Sequence, residues 1–485
     1  MKRLLFLLLL VWMGACTGDF EELNTNPNAP VEVSPQFLLP QALQTTVDNY
    51  WGNRTRNERL NFDHAMCWVQ YLTRNIYENE GDNYNVQPSV NITNWEVFYT
   101  DGLINFEKIR ELSSAEADVP HANYEGIGIG MCAWTTAIVT DVWGAVPFTD
   151  ALKGTAEDPV FSPAYDAQPD VYAKLIDDLA TANALLDPDG PAVSGDIMFN
   201  GDVMMWKKFF NSTRFKLLNR QAHLVPGSGE EMQAMLDDPD TWPMISNNDE
   251  IAQLVYGAVP TGNPWNDILV QQGRTDWNIS RTFVNTLKAL EDPRLEVFAQ
   301  PGNQADGEIT GHPNGLPGAT ATTFLGFSAT INTETFAQVN SPAVLMSYSE
   351  LLFNQAEAAL DGDISGNAEA LFAEAVTASF EQYGLEVPDN YMASLGTLDK
   401  EVLMTQKWIA LFGQGIEAWT EMRRTGFPVL PEPDPRAQFQ NDEVLPTRLI
   451  YPSTEYSLNG QQVEEGVNFN EGPDNMKTPL WWVEN

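Results

Sequence analysis

The sequence predicts a mostly α-helical protein with few short strands, carrying long irregular loops rich in aromatic residues. Three observations predict it. Apolar residues recur at helical spacing in several separate segments. Residues 342–384 read as two helices joined by a short polar turn. Between helical segments lie long runs dense in Gly, Pro, Asn and Trp, at 77–94, 225–280, 299–340 and 426–480. Loops of that length are usually functional or disordered, and their aromatic content argues against disorder.

The N-terminus comes first. Lys2 and Arg3 precede an apolar run from Leu4 to Met13, about half of the roughly 20 residues a membrane-crossing helix needs. A charged start and a short apolar run make an export leader. The leader ends in Met13-Gly14-Ala15-Cys16, which resembles a bacterial lipobox. The expectation is therefore a signal peptide over residues 1–15, acylation at Cys16, an extended tether over 16–35, and one domain across 16–485. No later stretch approaches a membrane span, so the lipid on Cys16 would be the sole membrane attachment.

Four helical segments follow. "NERLNFDHAMCWVQYLTRN" (57–75) places Leu60, Cys67, Trp68, Tyr71 and Leu72 on one face, and 94–113 does the same with Val97, Leu103, Ile104, Phe106 and Ile109. Residues 170–186 and 201–224 repeat the pattern, the latter with Trp206, Phe209, Phe210 and Leu217 inward. In 342–384 the first helix begins after Pro342, and Asn367 caps the second, with Glu369 in its first turn to suit the helix dipole. Alternating Ala and aromatic residues across this hairpin resemble tetratricopeptide packing. A later helix occupies 401–415.

The 485 residues are 43% hydrophobic and 11% aromatic, enough for a sizeable core. Net charge is −41, or −43 once Lys2 and Arg3 leave with the leader. Such a surface repels phosphate backbones, so nucleic acid is excluded as a partner. It also disfavours polyanionic ligands, within the about 8 Å that physiological salt allows, and so favours a neutral one. Cys67 and Cys132 are too few for a disulfide framework, and whether they pair is open.

Catalytic patterns are missing. His64, His121, His223 and His312 are scattered, and neither a metalloprotease spacing, a nucleophile elbow nor a phosphate loop occurs. "GIGIG" (126–130) lacks the third glycine of a dinucleotide loop, which would fall on Met131, and suits close helix packing instead. "DGDISGN" (361–367) puts Asp361, Asp363 and Ser365 at calcium-loop positions, but position twelve is Phe372 rather than Glu. A solvated turn is the better reading. No cofactor and no enzymatic activity are expected.

The positive signal is aromatic. Trp265 and Trp277 sit beside Asn263, Arg274 and Asp276, and Tyr77 and Tyr84 lie among Asn and Asp. Flat rings flanked by amides and charged groups suit sugars: a ring covers the C–H face of a pyranose while polar side chains bond its hydroxyls. A loop Trp serves equally as a plug over the core. The candidate ligand residues are therefore Trp265, Trp277, Arg274, Asn263, Tyr77 and Tyr84, with Trp68, read first as core, kept as a seventh. Trp95, Trp134, Trp143, Trp206, Trp408, Trp419, Trp481 and Trp482 are assigned to packing.

Several segments in order carry a family resemblance. "CTGDFEELNTNPNAP" (16–30), "DVWGAVPFTDAL" (141–152), "LEDPRLEVF" (290–298), "QKWIALFGQGIEAWTEMRRTGFPVL" (406–430), "PTRLIYPSTEYSLN" (446–459) and "LWW" (480–482) together resemble the SusD/RagB-type outer-membrane lipoproteins of Bacteroidetes. In the second segment Trp143 and Ala145 stand where the family pattern has Tyr and Asp. The resemblance implies a helical fold with tetratricopeptide-like hairpins and a cell-surface lipoprotein that captures glycan as the lid of a SusC-like TonB-dependent transporter. Asp19, Glu21 and Glu22 are similar to the signal that sends such lipoproteins to the outer face. The resemblance transfers no binding residue, because family ligand sites are built from variable loops. A RagB-like peptide or other nutrient capture protein is the alternative, and a glycoside hydrolase a lesser one.

Overall fold

Helix-starting residues set most of the element boundaries. The computed structural model describes residues 33–52, 59–77, 81–154, 158–258 and 261–484; Cys16, the leader and the tether before residue 33 lie outside them. Pro35 opens α1 (Pro35–Trp51) and Pro88 opens α2 (Pro88–Val97), which runs through a wider turn at Phe98–Leu103 into α3 (Ile104–Ser113). Next come α4 (Ala122–Trp143), α5 (Gln168–Leu185) and α6 (Val203–Gln221). Asp202 caps α6 by accepting from Met204 N at 3.0 Å. After α7 (Ser228–Asp237) the chain reaches α8 (Arg281–Ala289), capped by Ser280, whose Oγ accepts from Thr282 N.

The hairpin read in the sequence is α9 (Tyr348–Asp361) and α10 (Ala368–Glu381), and Asn367 caps α10 through Ala370 N at 3.0 Å. The first helix starts later than expected. Pro342 opens a strand, and Ser347 caps α9 instead, accepting from Glu350 N at 3.1 Å. The turn between the two helices is a polar one: Asp361 pairs with Lys400 Nζ at 2.6 Å and Ser365 Oγ donates to Gln233 Oε1 at 2.8 Å. Then follow α11 (Lys400–Ala410), α12 (Gly415–Thr425) and α13 (Ser453–Phe469). The helices stack as tetratricopeptide-like hairpins, with α3 to α6 on one side meeting α9 to α12 through α6 and α9.

GIGIG lies inside α4, where small residues let helices close up. A Cβ on Gly130 would fall 2.2 Å from the Phe210 ring, and one on Gly128 would fall 2.8 Å from Phe106 O. The segment 57–75 departs from its helical reading: among its described residues only Leu60–Trp68 are helical, and Leu72–Arg74 form a strand. The stretches expected to be irregular also depart: 77–94 runs into α2, 225–280 contains α7 and 426–480 contains α13.

Among the described residues strands occur as four antiparallel pairs: β1 (Leu72–Arg74) with β5 (Trp277–Ile279), β2 (Val146–Pro147) with β3 (Tyr165–Asp166), β4 (Ala252–Val255) with β8 (Pro342–Met346), and β6 (Ala299–Gln300) with β7 (Thr330–Ile331). A large apolar core runs through the helices, and a smaller one lies under α9 to α11; Tyr348 and Leu290 pack against both. Cys67 is buried on one helix and Cys132 half-buried on α4, and they form no disulfide.

A chain of buried charges threads the two halves together. Lys216 and Arg220 of α6 face Glu350 of α9 and Glu417 and Glu421 of α12. Arg424 of α12 reaches Glu357 at 2.6 Å, and Lys407 of α11 reaches Glu421 at 2.8 Å. Arg424, Lys407 and Lys400 outweigh burial at Glu357 and pull its carboxyl down to about 2.

Candidate functional site

The pair β1–β5 is the structural hub of the aromatic loops. Its register sets Arg74 opposite Trp277 and Thr73 opposite Asn278. Because successive strand side chains point to opposite faces, Trp277 and Asn278 serve different sides of this ribbon.

On the Trp277 side the tryptophan itself is buried. The indole, 2% exposed, donates to Asp63 Oδ1 at 3.0 Å. The guanidiniums of Arg59, Arg74 and Arg274 lie 5.6, 5.1 and 5.1 Å from its centroid, and Arg274 is paired with Asp276. Trp265, 0% exposed, stacks on Trp51 at 5.0 Å with Phe62 edge-on at 4.8 Å. Neither ring offers a face to a ligand, so both tryptophans fit the plug reading rather than the binding one. Asn263 is also internal: its Oδ1 accepts from Trp265 N at 2.7 Å and its Nδ2 donates to Ser341 O. Trp68, 0% exposed, donates to Gly81 O and packs on Trp419. Tyr84, 7% exposed, stacks on Phe439 at 4.5 Å. Among these seven candidates Tyr77 stands apart. It is 46% exposed, and its ring rests near the guanidiniums of Arg74 and Arg274. Trp265, Trp277, Asn263 and Trp68 were legible as aromatic-polar clusters, but such clusters also build cores.

On the Asn278 side lies an open groove of about 440 Å³, formed where β5 and the loops after β6 and before β7 meet. Asn75 and Asn278 make its floor. Asn75 Nδ2 donates to Asn278 Oδ1 at 2.6 Å and to Thr275 O at 2.9 Å, and Asn278 Nδ2 donates to Ser328 O at 3.1 Å. Gln300, Asn303, Gln304, Thr275 and Thr330 make the walls, with Gln300 Nε2 donating to Thr330 Oγ1. The two wall loops touch closely: a Cβ on Gly302 would fall 2.3 Å from Gly326 O. Phe327, 52% exposed, stands between the lining residues Gly326 and Ser328.

Two properties define this groove chemically. Of its twelve lining residues none is ionisable, in a chain with 26 basic and 67 acidic residues. Its buried floor also holds two polar atoms, Asn75 Oδ1 and Ser328 Oγ, without a hydrogen-bond partner among the described residues. Such atoms normally find a partner; these two lie beneath the accessible surface, so the chemistry the groove offers a ligand is that of its wall amides and hydroxyls. The sequence signal was the amide run Gln300, Asn303 and Gln304 within 299–340, which a search for rings passes over. Among the described residues no group of three or more His, Cys, Asp or Glu converges to hold a metal ion, and no helix is long and apolar enough to cross a membrane.

Comparison with known proteins places this geometry in context. Residues 27–452 match the SusD-like family described as starch-binding, associating with outer membrane. Similar solved structures include a chitin-binding protein at 24% identity and TM-score 0.80, covering 93% of this chain and 100% of that one. A chitin-binding SusD homologue from Flavobacterium johnsoniae has 22% identity and TM-score 0.78, covering 92% and 99%. A SusD homologue from Bacteroides uniformis has 22% identity and TM-score 0.78, covering 93% and 100%. At these identities the likeness is one of fold. No curated protein matches.

Proposed function

The chain belongs to the SusD-like family of starch-binding proteins that associate with the outer membrane, and on that premise we propose that it captures neutral oligosaccharide at the amide-lined groove. Binding is non-covalent. Side-chain amides both donate and accept, so Asn303, Gln304 and Gln300 can follow the alternating donors and acceptors of sugar hydroxyls. Phe327 supplies an apolar ring face at the rim. The captured chain is passed to a SusC-like TonB-dependent transporter in the same membrane, over which this lipid-anchored protein acts as a lid facing the cell exterior. No bond is made or broken, so no catalytic residue and no cofactor is required.

The observation that carries the reading is the wholly uncharged lining. An anionic sugar would find no cation there and would meet the field of a strongly acidic protein. The likeness to chitin-binding structures makes amide-bearing neutral glycans, together with starch, the first ligands to test.

The test is affinity electrophoresis and calorimetry against starch, chito-oligosaccharides, a sulfated glycan and a polyuronate, using wild type and an Asn303→Ala/Gln304→Ala variant. Binding of a neutral glycan that falls about tenfold or more in the variant is expected, as two polar contacts of about 1 kcal/mol each are lost. Unchanged binding in the variant, or binding confined to anionic glycans, would sink the assignment. Release of reducing sugar by the purified protein would make it a hydrolase instead, and binding of peptides without glycans would favour the nutrient-capture alternative.

A further inference from the structure

A second cavity of about 680 Å³ lies beside the groove, between α8 and the segment 428–435. Its walls share the groove's amides and hydroxyls but also carry Arg281, Asp434, Glu401 and Glu432. Gln70, Asn285 and Thr286 offer amides and hydroxyls, while Pro428, Pro431, Pro433 and Pro435 present pyrrolidine rings. Proline fixes the backbone φ, so this wall is stiff before any ligand arrives. It is also tied down, because Asp434 accepts from Arg281 Nη1 at 3.3 Å and from Arg436 Nε at 2.8 Å.

The two depressions share their foundations. Asn278 floors the groove and Thr282 lines the cavity, and four residues of chain span at most about 14 Å. Beyond Asn75, the same loop region supports the cavity from behind. Asp82 accepts from Asn314 Nδ2 at 2.9 Å and Tyr84 stacks on Phe439, and both Asn314 and Phe439 line the cavity. Between groove and cavity stands Phe324, with the Arg281 and Arg436 guanidiniums 5.8 and 5.6 Å from its ring, and the next residue, Leu325, lines the groove.

We propose that the proline-walled cavity is a second subsite for the same neutral glycan, so that the protein takes an oligomer spanning both depressions rather than one or two sugar units. This rests on the carbohydrate reading of the groove. Arg281 is offset by Asp434, and the remaining ionisable lining groups, Glu401 and Glu432, are exposed and acidic. An anionic chain is therefore no better served here than in the groove. Linking two weak subsites through one ligand raises affinity without any new contact type.

The experiment is calorimetry with chito-oligosaccharides and malto-oligosaccharides from dimer to octamer, on wild type, Ala289→Trp and Asn285→Ala. Ala289 and Asn285 are exposed on α8 at the cavity, so both variants keep the wild-type melting temperature. Affinity should rise about tenfold or more from dimer to octamer in wild type. Ala289→Trp, which fills the cavity, should remove that gain while leaving dimer affinity unchanged, and Asn285→Ala should remove part of it. Equal affinity at all lengths, or an octamer gain that survives both substitutions, would overturn the second subsite and leave the groove standing. Failure of every oligomer to bind wild type would remove the glycan reading itself, and this inference with it.

Discussion

The guanidinium of Arg274 lies 5.9 Å from the ring centroid of Tyr77 and 5.1 Å from that of Trp277. One cation thus sits near both an exposed ring and a buried one, and Arg74 repeats the arrangement at 5.8 and 5.1 Å. Such contacts contribute about 0.5–1 kcal/mol at exposed sites and more when desolvated. They tie the outer ring to the ion-paired layer beneath it, although Tyr77 holds a left-handed φ of 61°, which costs a non-glycine residue about 1–3 kcal/mol. This layer lies on the face of the ribbon away from the groove, so Tyr77→Ala should leave glycan affinity unchanged while losing about 0.5–1 kcal/mol of stability with its cation contacts. A loss of affinity in calorimetry would put Tyr77 on the ligand's path.

Trp265→Ala and Trp277→Ala should lose more stability. Both rings are packed on all sides, and truncating a buried Trp costs about 3–5 kcal/mol. Urea unfolding should show that loss, whereas the fraction that remains folded should bind glycan with wild-type affinity. A selective loss of affinity at full stability would return these rings to the binding site.

The burial of these rings bears on what the sequence could and could not disclose. Helices α5, α6, α10 and α11 were readable because each buries one face at helical spacing or starts at a side-chain cap. Strands of two to five residues leave no period to detect, so Pro342 reads in the sequence as a helix start. The loop tryptophans were ambiguous for a physical reason: a ring beside Asn, Asp and Arg satisfies a core that must bury ion pairs as well as it satisfies a sugar. The groove was hidden because its floor joins Asn75 to Asn278, about 200 residues apart, through tertiary contact alone. The buried charge chain left a fainter trace, as Lys216 and Arg220, and Glu417 and Glu421, stand four apart on helices that are otherwise interior.

That charge chain should carry stability through pairing. Arg220 Nη1 lies 2.5 Å from Asp141 Oδ2, joining α4 to α6, and Nη2 lies 2.9 Å from Glu421. Removing one partner strands a buried charge, which costs about 3–5 kcal/mol. Arg220→Met should lower the urea midpoint accordingly, and adding Asp141→Leu should recover part of the loss rather than double it. Strict additivity in the double variant would show that the two residues do not couple.

The tether can be tested apart from the site. Cys16→Ala should leave glycan affinity in solution unchanged, because the groove lies in the described domain, but should release the protein from the membrane fraction and abolish growth on the bound glycan. Retained growth would show that handover does not depend on the lipid.

Acid should destabilise the fold as its buried histidines are forced to take up protons. Burial lowers His64 and His312 from 6.5 to about 4. The unfolded chain therefore binds more protons than the folded one across that window. Their contribution is fully present above pH 6.5 and is lost as pH falls towards 4, roughly 3 kcal/mol for each. Asp82 opposes them: burial raises its carboxyl from 3.8 to about 6, so its protonation on acidification favours the folded state. Burial also raises the carboxyls of Asp141, Glu350 and Glu455, which act with Asp82; the expected net sign is that of the two imidazoles, and the urea midpoint should drop between pH 6.5 and 4.5. His64→Gln and His312→Gln should each flatten that slope, measured against their own midpoints at pH 7. A midpoint that rises with acidification would mean that these carboxyls dominate and that the histidines are not held neutral.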